Sequence, residues 1–274
     1  MKSRQLAPPV GAPLGTEEGP HRVKNHDVRG VVGDLPHMTL EQAETITKFI
    51  ADKQVEAILE LGFNHGVSTC YMAAALAELG RGSIVTIDLE WTRKATPNIE
   101  ELLDRIGERH RVKVFYEPTS YTWRIMRFLE EDPTPRFDLC YLDGAHSWFD
   151  DALAFFLVDR LLRPGGWIIF DDLDWTFARS PSVKEREWVR SMPLDERTTP
   201  QVKKIYELLV KTHPNYHNFR LEDGWAFAQK QDTKDISIQP SQREIVTEQI
   251  VRVERIQVGL GGGLMSVVNK LRGK

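Results

Sequence analysis

The stretch Ala57-Ile58-Leu59-Glu60-Leu61-Gly62-Phe63-Asn64-His65-Gly66-Val67-Ser68 decides the fold. Ala57 to Leu61 is a short apolar run closed by glycine, which predicts a buried strand, and the apolar spacing from Val67 to about Leu79 predicts a helix. The same alternation runs on through strand Ile84 to Leu89, helix Ile99 to Glu108, strand Val112 to Tyr116, helix Tyr121 to Leu129 and strand Phe137 to Leu142. Helix Trp148 to Leu162, a turn at Pro164-Gly165-Gly166 and strand Trp167 to Phe170 follow. Strands separated by helices call for a mostly parallel sheet covered on both faces. Two further runs, Tyr216 to Leu221 and Trp225 to Gln229, are joined by Glu222-Asp223-Gly224, a hairpin signal that adds an antiparallel pair. The expected fold is a doubly wound, Rossmann-like α/β domain.

Outward from this core the composition changes. Residues 1–37 are rich in proline and glycine and are expected to form an extended tail or a lid. Order is expected from Thr39, which with Gln42 matches a capping box and opens a helix to about Ala51. Residues 174–197 carry Trp175, Phe177 and Trp188 without a period and read as an insertion, after which Thr199-Pro200 offers a helix cap and a first-turn proline. The main domain thus spans 38–232. In the remaining 233–274, Ser241 and Glu244 match a second capping box, and Ile245, Val246, Ile250, Val253 and Ile256 form an apolar stripe that would dock on its own domain or join subunits of a homo-oligomer.

Of 274 residues 41% are apolar, enough for a sizeable core, and the two cysteines, Cys70 and Cys140, lie in apolar runs and exclude a disulfide framework. Lysine and arginine number 36 against 40 acids, giving a net charge of −4 with no basic stripe, so a nucleic-acid partner is not expected. No run approaches a membrane span or a signal peptide, and a cytoplasmic location is expected.

Three features carry chemistry. Gly62 and Gly66 sit where the first strand enters its helix, so the backbone can approach a ligand and helix amides can meet an anion. Asp88 ends the second strand about 20 residues later, the usual place for an acid that binds a ribose diol, and Ser120 at the end of the third offers a polar group to an adenine or a helix cap. Asp143 and the pair Asp171-Asp172 follow two apolar strands; if those strands are neighbours, their ends lie ~5 Å apart and the carboxylates converge on a hard cation such as Mg²⁺. His146, three residues after Asp143, is placed to act as a general base.

Taken together, Glu60-Leu61-Gly62 with Gly66 and Ser68, Ile87-Asp88, Tyr141-Leu142-Asp143-Gly144-Ala145-His146 and Arg163-Pro164-Gly165-Gly166 leading to Asp171-Asp172 resemble the class I S-adenosylmethionine-dependent methyltransferases. More narrowly, the chain is similar over about residues 36–230 to metal-dependent small-molecule O-methyltransferases of the catechol, caffeoyl-CoA and macrolide-sugar types. The resemblance implies a seven-stranded sheet with the last strand antiparallel. It also implies a methionine site at Glu60, Gly62, Gly66 and Ser68 covered by Met38-Thr39, a ribose site at Asp88, and a metal on Asp143, Asp171 and Asp172. Catechol-type members carry lysine where this chain has His146, and many relatives have asparagine at the position of Asp172, which brings the macrolide-sugar type closer. The implied activity is methyl transfer to a hydroxyl of a small molecule, with Asp143 or His146 taking the proton. Two alternatives compete: an NAD-dependent oxidoreductase, disfavoured because the glycine spacing is Gly-x-x-x-Gly and not Gly-x-Gly-x-x-Gly, and a non-catalytic partner subunit.

Overall fold

The central runs Ala57–Leu61 and Phe137–Leu142 are strands buried along nearly their whole length, as a sheet covered on both faces requires, whereas the edge strand Tyr216–Glu222 is largely exposed. The computed structural model describes residues 25–232, and the expected C-terminal amphipathic helix, with any subunit contact it makes, lies outside the described residues. The sheet comprises β1 (Ala57–Leu61), β2 (Ser83–Leu89), β3 (Val112–Glu117), β4 (Phe137–Leu142), β5 (Leu162–Phe170), β6 (Tyr216–Glu222) and β7 (Trp225–Lys230), in the order β3-β2-β1-β4-β5-β7-β6. β7 pairs antiparallel with both β5 and β6, while the other pairings are parallel.

Side-chain alternation along a strand divides the core into two layers. Leu139 and Tyr141 of β4 point to the layer under α1 (Asn25–Val32), α2 (Leu40–Lys53), α3 (Val67–Glu78) and α4 (Ile99–Ile106). Cys140 and Leu142 point to the layer under α5 (Tyr121–Glu131) and α6 (Trp148–Leu161). Burial pushes both cysteine thiols up, which leaves them inert packing groups. The capping box predicted at Thr39 is present, with the Thr39 hydroxyl accepting from the Gln42 N–H and the Gln42 side chain accepting from the Thr39 N–H.

Three segments depart from expectation. Helix α1 lies inside the stretch read as a tail, because Val28 and Val32 share a helical face and bury it in the core. β5 begins at Leu162 and not at Trp167: Pro164-Gly165-Gly166 is carried within the strand, and the pairing with β4 shifts register between Phe137 and Leu139. The segment 174–197 contains the short helices α7 (Glu187–Arg190) and α8 (Leu194–Thr198). The Thr199 hydroxyl donates to the Asp195 carbonyl behind it, so Pro200 starts α9 (Gln201–Ile205) without a side-chain cap. A π-helical turn, Tyr206–Val210, leads on toward the hairpin. Among the described residues no helix is long and apolar enough to cross a membrane.

The topology fixes where a ligand can sit. β1 pairs with β2 on one side and β4 on the other, so chain direction across the sheet reverses between β1 and β4. The carboxyl ends of strands at such a switch point open into a crevice. Gly62 and Asp143 are the residues found there.

Candidate active site

The two glycines first serve the chain itself. Gly62 has φ +89°, and a Cβ there would stand 1.9 Å from the Asp143 carbonyl oxygen, so only glycine lets the turn after β1 pass the end of β4. Gly66, at φ +93°, packs against Ile99 and is the N-cap of α3; it offers no side-chain cap to the first amides of that helix.

Glu60, expected near a methionine, is turned inward. It is fully buried and accepts hydrogen bonds from the hydroxyls of Ser68 (2.5 Å), Thr69 (2.6 Å) and Thr86 (2.6 Å). Burial raises its pKa to about 7 against the opposing pull of those three donors. Glu60 and Ser68 therefore join β1, β2 and the start of α3 beneath the glycine turn. Asp88 is half-buried: one carboxylate oxygen accepts from Phe63 N–H (2.8 Å) and Asn64 N–H (2.7 Å), the other from Leu89 N–H (2.6 Å). Its carboxylate thus shapes the glycine turn. Ser120 caps α5 and donates to Asp150 at 3.0 Å, turning toward α6 in the helix-cap role.

The acidic residues converge, with one exchange of partner. Ligand atoms of Asp143, His146 and Asp172 lie within 4.8 Å of one another, with His146 Nε2 at 3.9 Å from Asp143 and 3.5 Å from Asp172. Asp171, expected beside Asp172, is buried; one of its oxygens accepts from the Tyr141 hydroxyl and the other from the Asp172 N–H at 2.6 Å. Both acids reach the same cavity, but the left-handed backbone of Asp172 (φ +55°) accompanies the approach of its carboxylate to His146, while the carboxylate of Asp171 is held by Tyr141 and the Asp172 amide. Burial raises the pKa of Asp143, and the negative charges of Asp171 and Asp172 add to it. Burial lowers His146 to about 4, so its imidazole is neutral near pH 7.

Around this cluster is a cavity of about 730 Å³, lined by Asp143, His146, Asp171 and Asp172 together with Arg29, His37 and Met38. The Trp175 ring, from the segment read as an insertion, lies 4.8 Å from the His146 ring, centroid to centroid. Arg29 and His37 escaped the sequence reading because they fall in the proline- and glycine-rich stretch; the spacing of Val28 and Val32 was the available signal for a helix there.

Residues 59–173 match a family model described as a methyltransferase domain. A catechol O-methyltransferase of Niastella koreensis is 32% identical over 120 residues, 44% of this chain and 50% of that protein. The chain thus spans about half the length of the curated relative it matches. Two solved structures share the fold: the Streptomyces achromogenes O-methyltransferase TomG, involved in tomaymycin synthesis and in complex with SAM, and a Bacillus cereus O-methyltransferase in complex with SAH. Each is 21% identical with a TM-score of 0.54 and covers 76% of this chain, corresponding to 89% of the first and 90% of the second. The resemblance to methyltransferases is thus met in sequence over residues 59–173, and the solved structures share the fold. The oxidoreductase and partner-subunit alternatives find no support in these similarities.

Proposed function

We propose that the protein is an S-adenosylmethionine-dependent O-methyltransferase that works with a divalent cation on a hydroxyl of a small molecule, a sugar or a phenol. The observation that carries this reading is the meeting of Asp143, His146 and Asp172 at the switch point, beside the glycine turn held by Asp88. The residues suit both groups. An α3 N-terminus without a side-chain cap suits a carboxylate, and Asp88 at the end of β2 suits a ribose diol. The carboxylates of Asp143 and Asp172 suit Mg²⁺ or Mn²⁺, and the His146 imidazole stands beside them as a nitrogen base. When bound, the cofactor would supply an electrophilic sulfonium methyl and the cation would polarise the acceptor oxygen.

The chain's own tasks are alignment and proton removal. Asp143 and Asp172 are the proposed carboxylate ligands. Asp171, expected as a third, lines the same cavity and contributes negative charge while held by Tyr141. His146, neutral near pH 7, would accept the proton of the acceptor hydroxyl, with Asp143 as the alternative base. Trp175 on one side and Met38 on the other would exclude water and hold the acceptor in line, a contribution of up to ~7 to 11 kcal/mol when geometry is well matched.

Calorimetry and turnover test the reading. S-adenosylhomocysteine should bind with measurable heat while NAD gives none, and methyl transfer from labelled S-adenosylmethionine to a panel of phenols and sugars should stop with EDTA and return with Mg²⁺. Heat with NAD alone, or transfer that survives exhaustive chelation, would overturn it.

A further inference from the structure

A fully buried carboxylate, Asp151, takes no part in the chemistry above, and its hydrogen bonds among the described residues come from uncharged donors. Burying such a group is costly unless donors surround it. Its donors are specific: one oxygen accepts from the hydroxyl of Tyr121, itself buried, and the other accepts from the Ser147 N–H at 3.0 Å. The Tyr121 oxygen in turn accepts from the Ala145 N–H at 3.2 Å. Ala145 and Ser147 are the two residues flanking His146, whose own backbone is left-handed at φ +54°. The Tyr121 ring also lies where a Cβ on Gly144 would be, 2.5 Å from its nearest carbon, so the loop rests directly on that ring.

The amides on either side of His146 are thus held from below by one buried pair contributed by α5 and α6. We infer that Tyr121 and Asp151 are positioning residues for His146, fixing through the Ala145 and Ser147 amides the place of its imidazole between Asp143 and Asp172. A non-glycine residue in the left-handed region persists only where its surroundings over-determine it, and this pair supplies that determination. The inference rests on the proposed function for its catalytic consequence, but its structural content stands on the loop alone.

The test is Tyr121→Phe, which keeps the ring under Gly144 and removes both hydroxyl contacts. The His146 ring Cε1–H resonance, assigned by its loss in His146→Gln, should be single and sharp in the wild type. In Tyr121→Phe it should shift and broaden, while the resonance of the distant His110 stays in place. S-adenosylhomocysteine affinity should change by less than about twofold, and turnover should fall on the order of 10- to 100-fold, the range expected for a displaced reacting group. An unchanged His146 resonance would overturn the inference, whatever the turnover. Should Tyr121→Phe fail to fold, Asp151→Asn is read by the same resonance with the same two outcomes. Absence of cofactor binding in the wild type would instead count against the methyltransferase reading, leaving the resonance to judge the positioning role.

Discussion

His146 Nε2 stands 3.5 Å from a carboxylate oxygen of Asp172, although the two residues arrive on separate strand ends, after β4 and after β5. Parallel pairing of Leu142 with Phe170 sets these ends side by side, and left-handed backbone at both residues, φ +54° and φ +55°, accompanies their approach. A neutral imidazole between two acids can offer a lone pair to a cation or accept a proton.

Removing one acid of that pair should separate the metal from the cofactor. Asp172→Ala is expected to weaken Mn²⁺ or Mg²⁺ binding at least about tenfold, the loss of one charged ligand. Binding of S-adenosylhomocysteine in the absence of metal should stay within about threefold. Paired calorimetric titrations of the two ligands make the check; equal losses for both would mean the substitution disturbs the whole edge of the sheet.

Gly62→Ala should be severely destabilising. The new methyl would meet the Asp143 carbonyl at 1.9 Å in a backbone region that L-residues avoid, and strain with displacement together cost roughly 3 kcal/mol or more. Urea unfolding gives the number. A loss under about 1 kcal/mol would show that the ends of β1 and β4 are free to move apart.

Stability should fall as pH rises from about 5 to 8, in part because of Glu60. Its pKa is 4.5 in the ordinary range and about 7 in the folded protein, so the folded state binds the proton more tightly than the unfolded one. The favourable contribution is complete below pH 4.5 and is lost as pH passes through about 7, up to about 3 kcal/mol in all. Glu60→Gln removes the titrating group, so its stability curve over this range should be flatter than the wild type's. Parallel curves would exclude Glu60 as a source.

Most of the sheet was readable because the parallel strands are short apolar runs with clear limits: Ala57–Leu61 and Phe137–Leu142 fall where the sequence predicts. The convergence of Asp143 and Asp172 was readable for the same reason, since it needs only that two strands end together. Side-chain direction was not. Whether Glu60 faces a ligand or three hydroxyls depends on Thr86 of the next strand, and whether Asp171 or His146 completes the cluster depends on the bond to Tyr141 and on the loop above Tyr121. These are contacts between residues far apart in the chain, which a local pattern does not encode. Helix α1 was missed because its few apolar residues are surrounded by turn-forming ones, although Val28 and Val32 are buried.

Anomalous diffraction from crystals grown with Mn²⁺ and S-adenosylhomocysteine addresses the central claim most directly. The account predicts one strong manganese peak bonded to the carboxylates of Asp143 and Asp172, opening onto the cavity that Arg29 and Met38 wall, with the nucleoside beside Asp88. A manganese peak held by other residues, or none at full cofactor occupancy, would contradict it.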